Sequence, residues 1–177
     1  MPAKLLSIAI LLGVAALASG QALPRPDVPD KIQAPAGEEV ILRAHASGSQ
    51  IYVCQAGAEG KAAWALKAPE AELRDSQGAV IGQHYAGPKW KYKDGGEITG
   101  KAIARVNAPD SGAIQWLLLN VTEHSGKKGA FSRVDSVQRI NTQGGMPPPD
   151  ADCNTSKLNA EVKSPYSADY CFYAPAK

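Results

Sequence analysis

Asp110-Ser111-Gly112 followed by Ala113-Ile114-Gln115-Trp116-Leu117-Leu118-Leu119 sets the fold class of this chain. An Asp placed just before a Gly makes a turn, because the carboxylate caps backbone N–H groups and the glycine tolerates positive φ. The run behind it is nearly unbroken in apolar residues and reads as a central strand covered on both faces. Working outward, Asp75-Ser76-Gln77-Gly78 and Asp94-Gly95-Gly96 repeat the turn chemistry. From Glu39 onward, short apolar runs alternate with turn residues at intervals of roughly 8 to 15, the spacing of an all-β chain and not of alternating β and α units.

The strands predicted on this basis are Glu39 to Ala46, Gln50 to Gln55, Ala63 to Ala68, Ala71 to Arg74, Ala79 to Tyr85, Trp90 to Lys93, Glu97 to Val106, Ile114 to Val121, Val134 to Asn141 and Tyr166 to Tyr173. Around Lys91 to Arg105 polar and apolar residues roughly alternate, as in a strand with one solvated face. The expected fold is all-β: a single-domain β-sandwich or flattened β-barrel over residues 37–177.

Before that domain, Lys4 precedes the apolar run Leu5 to Leu17 and the small residues Ala18, Ser19, Gly20 and Ala22. The run is about 13 residues, short of the roughly 20 a spanning helix needs. Residues 1–20 therefore read as a secretory signal peptide, with Ala18, Gly20 and Ala22 all fitting the small-residue cleavage rule. The expected protein is secreted or periplasmic, with no membrane insertion after cleavage. Residues 21–36 carry Pro24, Pro26, Pro29 and Pro35 and form an extended leader, laid along the domain or left loose. The chain has 177 residues, 44% hydrophobic and 20% charged, with 19 Lys and Arg against 17 Asp and Glu. That balance excludes disorder and argues against nucleic-acid binding through bulk electrostatics.

Three cysteines in an oxidising compartment leave one disulfide and one thiol. Cys54, Cys153 and Cys171 allow three pairings, of which Cys54–Cys153 closes a loop of about 100 residues and Cys153–Cys171 only staples the C-terminus. No CxxC or paired-histidine spacing marks a metal site, and no cofactor motif is present. Asn120-Val121-Thr122 and Asn154-Thr155-Ser156 match the glycosylation sequon.

Chemistry concentrates in His84 to Asp94, where His84, Tyr85, Trp90 and Tyr92 surround Gly87-Pro88 with Lys89, Lys91, Lys93 and Asp94 beside them. Aromatic rings with polar neighbours suit sugar stacking or a small ligand. Against this stands a plainer alternative, in which Tyr85 and Trp90 are core residues flanking a Gly-Pro turn and the lysines form a solvated face. His84 is the best general base among His45, His84 and His124, with Asp94 or Glu70 to orient it. Arg139, beside Gly144-Gly145, offers a planar fork to a carboxylate or phosphate, or simply pins a loop.

Four blocks carry a family resemblance: Trp64-Ala65-Leu66-Lys67-Ala68-Pro69-Glu70-Ala71, His84-Tyr85-Ala86-Gly87-Pro88-Lys89-Trp90, Ile114-Gln115-Trp116-Leu117-Leu118, and Val137-Gln138-Arg139-Ile140-Asn141-Thr142-Gln143-Gly144-Gly145. In this order, with Cys54 before and Cys153 after, they resemble the exported bacterial and fungal domain-of-unknown-function family numbered 3455, from about Pro35 to Tyr173. The resemblance implies that Cys54 and Cys153 form the disulfide and that Cys171 is the odd thiol. Some fungal relatives carry a malate dehydrogenase label. A dehydrogenase is excluded here, since no GxGxxG turn opens a helix to meet a pyrophosphate.

The expectation is a binding module for an extracellular polysaccharide or other small molecule, without a cofactor. Trp64, Tyr85, Trp90 and Tyr92 are its stacking candidates, and His84, Asp94 and Arg139 its polar ones. The alternatives are a hydrolase or lyase using His84 as base, and a structural surface or matrix protein.

Overall fold

Eight antiparallel strands follow one another around a closed barrel: β1 Glu38–Ala56, β2 Ala62–Arg74, β3 Val80–Tyr85, β4 Lys89–Tyr92, β5 Gly96–Val106, β6 Trp116–Gly126, β7 Ser136–Gly144 and β8 Glu161–Pro175. Strand β8 pairs back onto β1 from Glu38↔Pro175 to Val53↔Glu161, so every strand has two neighbours. Closure removes the exposed edges that an open sheet must protect. The computed structural model describes residues 23–57 and 60–177, and the expected signal peptide lies outside them.

The all-β expectation holds in its barrel form, with two of the nine breaks expected between the ten strands absent. Ser47-Gly48-Ser49 falls between two expected strands, yet β1 runs through it and is 19 residues long. A Cβ at Gly48 would lie 2.1 Å from the Glu70 carbonyl oxygen, so the glycine permits close approach of β2 and does not end the strand. Likewise β2 passes through Pro69, opposite Gln50, with a register shift next to it at Ile51/Tyr52 that absorbs the missing N–H. Strand β6 continues to Gly126, past the expected end at Val121, and β8 begins at Glu161, ahead of the expected Tyr166.

The barrel wall buries both of its faces where the first residues of β6 lie beside β7, and β7 beside β8. Leu119, Val137, Tyr170 and Phe172 point into the interior cluster with Leu73, Ile81, Trp90 and Ile98. Leu118, Ile140, Cys171 and Tyr173 face outward, where Val28, Ile32 and Ala34 of the proline-rich segment lie over them. Ile32 is wholly buried, and its carbonyl accepts from Gln138 Nε2 at 2.6 Å. This covering explains why Trp116 to Leu119 needs no polar alternation.

The up-and-down order places the β1–β2, β3–β4, β5–β6 and β7–β8 connections at one end, here the mouth, and the other connections at the base. The base is plugged. A 3-10 turn over Ala130–Arg133 carries Phe131 inward against Phe172 and Tyr92, with ring centroids 4.8 and 5.5 Å away. At the mouth, Cys54 and Cys153 form a disulfide that ties the end of β1 to the β7–β8 connection, while Cys171 is buried and free. Burial pushes the Cys171 thiol up to about 11, which makes it inert at neutral pH.

Candidate functional site

The β3–β4 hairpin turns at Gly87-Pro88 and pairs His84 with Trp90 across the two strands, both facing inward. Their rings stack at 4.5 Å, and Tyr170 meets both edge-on. Space for the indole comes from Gly100 on β5, where a Cβ would sit 2.8 Å from Trp90 Cζ3. His84 Nδ1 donates to the Lys89 carbonyl at 2.8 Å, which fixes the tautomer and leaves Nε2 as an acceptor. Burial drives its pKa down to about 3, against the pull of that hydrogen bond and with the charge of Arg139 adding to the shift. The imidazole is neutral at physiological pH.

Arg139 enters from β7. Its Nε and Nη2 both donate to the Gln115 carbonyl, at 3.1 and 2.8 Å, which ties the guanidinium to the β5–β6 connection. The same connection is held by Thr142 Oγ1 donating to Ile114 O at 2.5 Å and by Ile114 N donating to Gly144 O at 3.0 Å. Gly144 and Gly145 both take positive φ, and a Cβ at Gly145 would lie 2.8 Å from Tyr166 Cβ. Side chains there would push the bend away from the wall.

These two groups meet at a cavity of about 350 Å3 inside the mouth half of the barrel, lined by Gln50, His84, Trp90, Leu119, Arg139 and Tyr170 among others. It adjoins a larger recess of about 740 Å3 under the β5–β6 connection, and Leu66, Ala102, Leu117 and Arg139 line both. Gln50 Nε2, Trp90 Nε1 and Tyr170 Oη on the inner cavity are buried without a hydrogen-bond partner, as is the neighbouring Tyr166 Oη. Gln50 and Tyr170 lie beside Tyr166, and Arg139 beside Tyr170, but none of these approaches makes a well-directed hydrogen bond. Unmatched polar atoms in a core are costly and call for an explanation.

The other predicted site residues lie elsewhere. Asp94 accepts from Gly96 N at 2.8 Å and Ala130 N at 2.9 Å, clamping the base plug; these two hydrogen bonds hold its carboxyl below the usual carboxylate range. Tyr85 is half-buried and donates to Glu97, a bond that pushes its phenol up to about 12. Tyr92 packs on Phe131 at the base. Trp64 donates from Nε1 to Pro149 O at 3.3 Å on the outer rim. Trp64, Tyr85, Trp90 and Tyr92 therefore share no exposed face. His84, Trp90 and Arg139 share one cavity, which Asp94 does not line.

With this geometry in hand, comparison with known proteins gives one finding. The family model described as protein of unknown function, DUF3455, matches residues 35–174. The chain belongs to the DUF3455 family. No curated protein and no solved structure matches it. All four blocks that carry the resemblance reach the cavity of this DUF3455 domain, through Leu66 and Pro69, His84 and Trp90, Leu117, and Arg139.

Sequence reasoning missed Gln50 and Tyr170 as cavity groups and Tyr166 as their neighbour. Gln50 carried the only available signal, a polar residue heading an apolar run, because its inward orientation follows from the register of β1 with β2 and β8. Two-residue alternation would have placed Tyr166 and Tyr170 on one face of β8, but not identified that face as the lumen.

Proposed function

We propose that this DUF3455 domain is an exported binding protein that takes a small molecule into the mouth half of its barrel. The observation that carries the reading is the set of polar atoms on the inner cavity that lack a partner, on Gln50, Trp90 and Tyr170, each only 1% exposed. Such atoms are met by ordered water or by a ligand, and the size of the cavity and its continuity with the mouth recess favour a ligand. An eight-stranded barrel is just wide enough to hold one small ligand. Export is part of the proposal. It rests on the apolar segment behind Lys4 and on the Cys54–Cys153 disulfide, a bond that persists in oxidising compartments. No helix among the described residues is long and apolar enough to cross a membrane.

Polysaccharide stacking is the weaker form of this reading, since the ring with most to offer, Trp90, is inside the barrel. The general-base alternative has less support still. His84 is neutral with a pKa near 3, and Asp94 spends both carboxylate oxygens on backbone N–H groups. The test is a titration with the neutral fluorophore N-phenylnaphthylamine. Its emission should rise on binding to the native protein and stay flat with Ala102→Trp, which fills the passage between the two cavities while leaving the plug intact. Unchanged binding by a folded Ala102→Trp protein, or no binding to the native one, would overturn the reading.

A further inference from the structure

We propose that the ligand is a carboxylate with an apolar body, its charged end on Arg139 and its apolar part toward the mouth; this rests on the cavity reading above and specifies its chemistry. The first observation is an imbalance of hydrogen-bonding groups. Gln50 Nε2 and Trp90 Nε1 can only donate, and the Tyr166 and Tyr170 hydroxyls are free to donate. Every buried side-chain atom left without a partner among the described residues can donate. A cavity whose unpartnered buried atoms can all donate suits a group that accepts, and an ionised carboxylate only accepts.

The second observation is the charge. Among the described residues no carboxylate pairs with Arg139, and its Nε and Nη2 both bond one neutral carbonyl. Nη1 remains available on a side chain that lines both the inner cavity and the recess. The other cation on the inner cavity, Lys67, is already paired with Glu161. The recess is lined by Arg105 and by Asp110, whose Oδ1 accepts from Gly112 N at 2.8 Å. The inner end therefore presents one unneutralised guanidinium, and its planar fork suits a carboxylate.

The third observation gives the body of the ligand. Leu66 and Met146, 55% and 44% exposed, stand at the recess with Leu117 and Ala102 below them. Exposed apolar side chains rimming a cavity mark a contact for an apolar group. A fully hydroxylated sugar would leave that rim unmatched.

The experiment is displacement of bound N-phenylnaphthylamine from the native protein by octanoate and octanamide, and by phenylacetate and phenylacetamide. One acid of either pair should displace the fluorophore at a concentration roughly tenfold or more below that of its amide, as a charge-assisted pair with Arg139 requires. The aliphatic and aromatic pairs separate the two kinds of apolar body. Arg139→Gln should abolish the preference for acid over amide, while Arg139→Lys should keep a reduced preference. Equal displacement by acid and amide from the native protein overturns the carboxylate assignment and leaves the cavity reading standing. Failure of the fluorophore itself to bind overturns both. The comparison on the native protein needs no variant to fold.

Discussion

The two halves of the barrel interior are built from the same strands but solve the packing problem in opposite ways. At the base, Phe131, Phe172, Leu73, Ile81 and Ile98 fill the lumen, and Asp94 holds the plug with both carboxylate oxygens satisfied. At the mouth, Gln50, His84, Trp90, Arg139 and Tyr170 surround open space with several polar atoms unmatched. Core packing at near-crystalline density is the general rule, and the base obeys it. The mouth departs from it, and functional sites are where such departures are expected. On the proposed reading, stability resides in one half and binding capacity in the other.

Phe131→Ala should break this division most severely. Removing a fully buried ring from the plug, where backbone clamps prevent collapse, should cost about 3 to 5 kcal/mol in urea unfolding. A loss below about 1 kcal/mol would mean that the base is not the stabilising half.

An intermediate effect is expected from acid. The folded pKa of His84 lies near 3, below the ordinary 6.5, so the unfolded chain takes up the proton first as pH falls. The stability that His84 confers by remaining neutral is complete above pH 6.5 and declines through the window down to about 3. The slope contributed by this one group approaches about 1.4 kcal/mol per pH unit. Unfolding free energies measured between pH 7 and 4.5 should fall more steeply for the native protein than for His84→Gln. Parallel curves would place the imidazole in contact with solvent and remove it from the cavity wall.

The smallest effect should come from Tyr170→Phe, which removes a hydroxyl with no partner and keeps the ring contacts to His84 and Trp90. Deleting an unmatched polar atom is nearly neutral or slightly stabilising, within about 0.5 kcal/mol. A cost above about 1.5 kcal/mol would show that the hydroxyl is satisfied in the folded protein, and the contrast between the halves would shrink accordingly.

Much of the wall was legible in the chain. Asp-Gly turns at Asp75, Asp94 and Asp110 separate strands where expected, and the apolar run Trp116 to Leu119 does have both faces covered. The errors fell on Gly48 and Pro69, residues that usually break strands and here sit inside them because a neighbouring strand comes close or a register shift takes up the irregularity. His84, Trp90 and Arg139 were picked out by residue type and do meet at the cavity. Asp94 was picked out the same way, but its carboxylate lies at the base, holding the plug through hydrogen bonds to the β4–β5 turn and to the connection after β6.

Residue order alone fixed what depends on neighbours along the chain: strand and turn alternation, the all-β class, and the His84 to Trp90 hairpin, where five intervening residues suffice for a reversal. Closure of β8 onto β1 settled the rest. A strand has two faces, and local pattern cannot say which becomes a lumen and which is covered by the segment around Ile32. Gln50, His84, Trp90, Arg139 and Tyr170 come from five different strands. They form a site only because barrel register turns all five inward at the same height, and a slip of one residue in any strand would send its member outward.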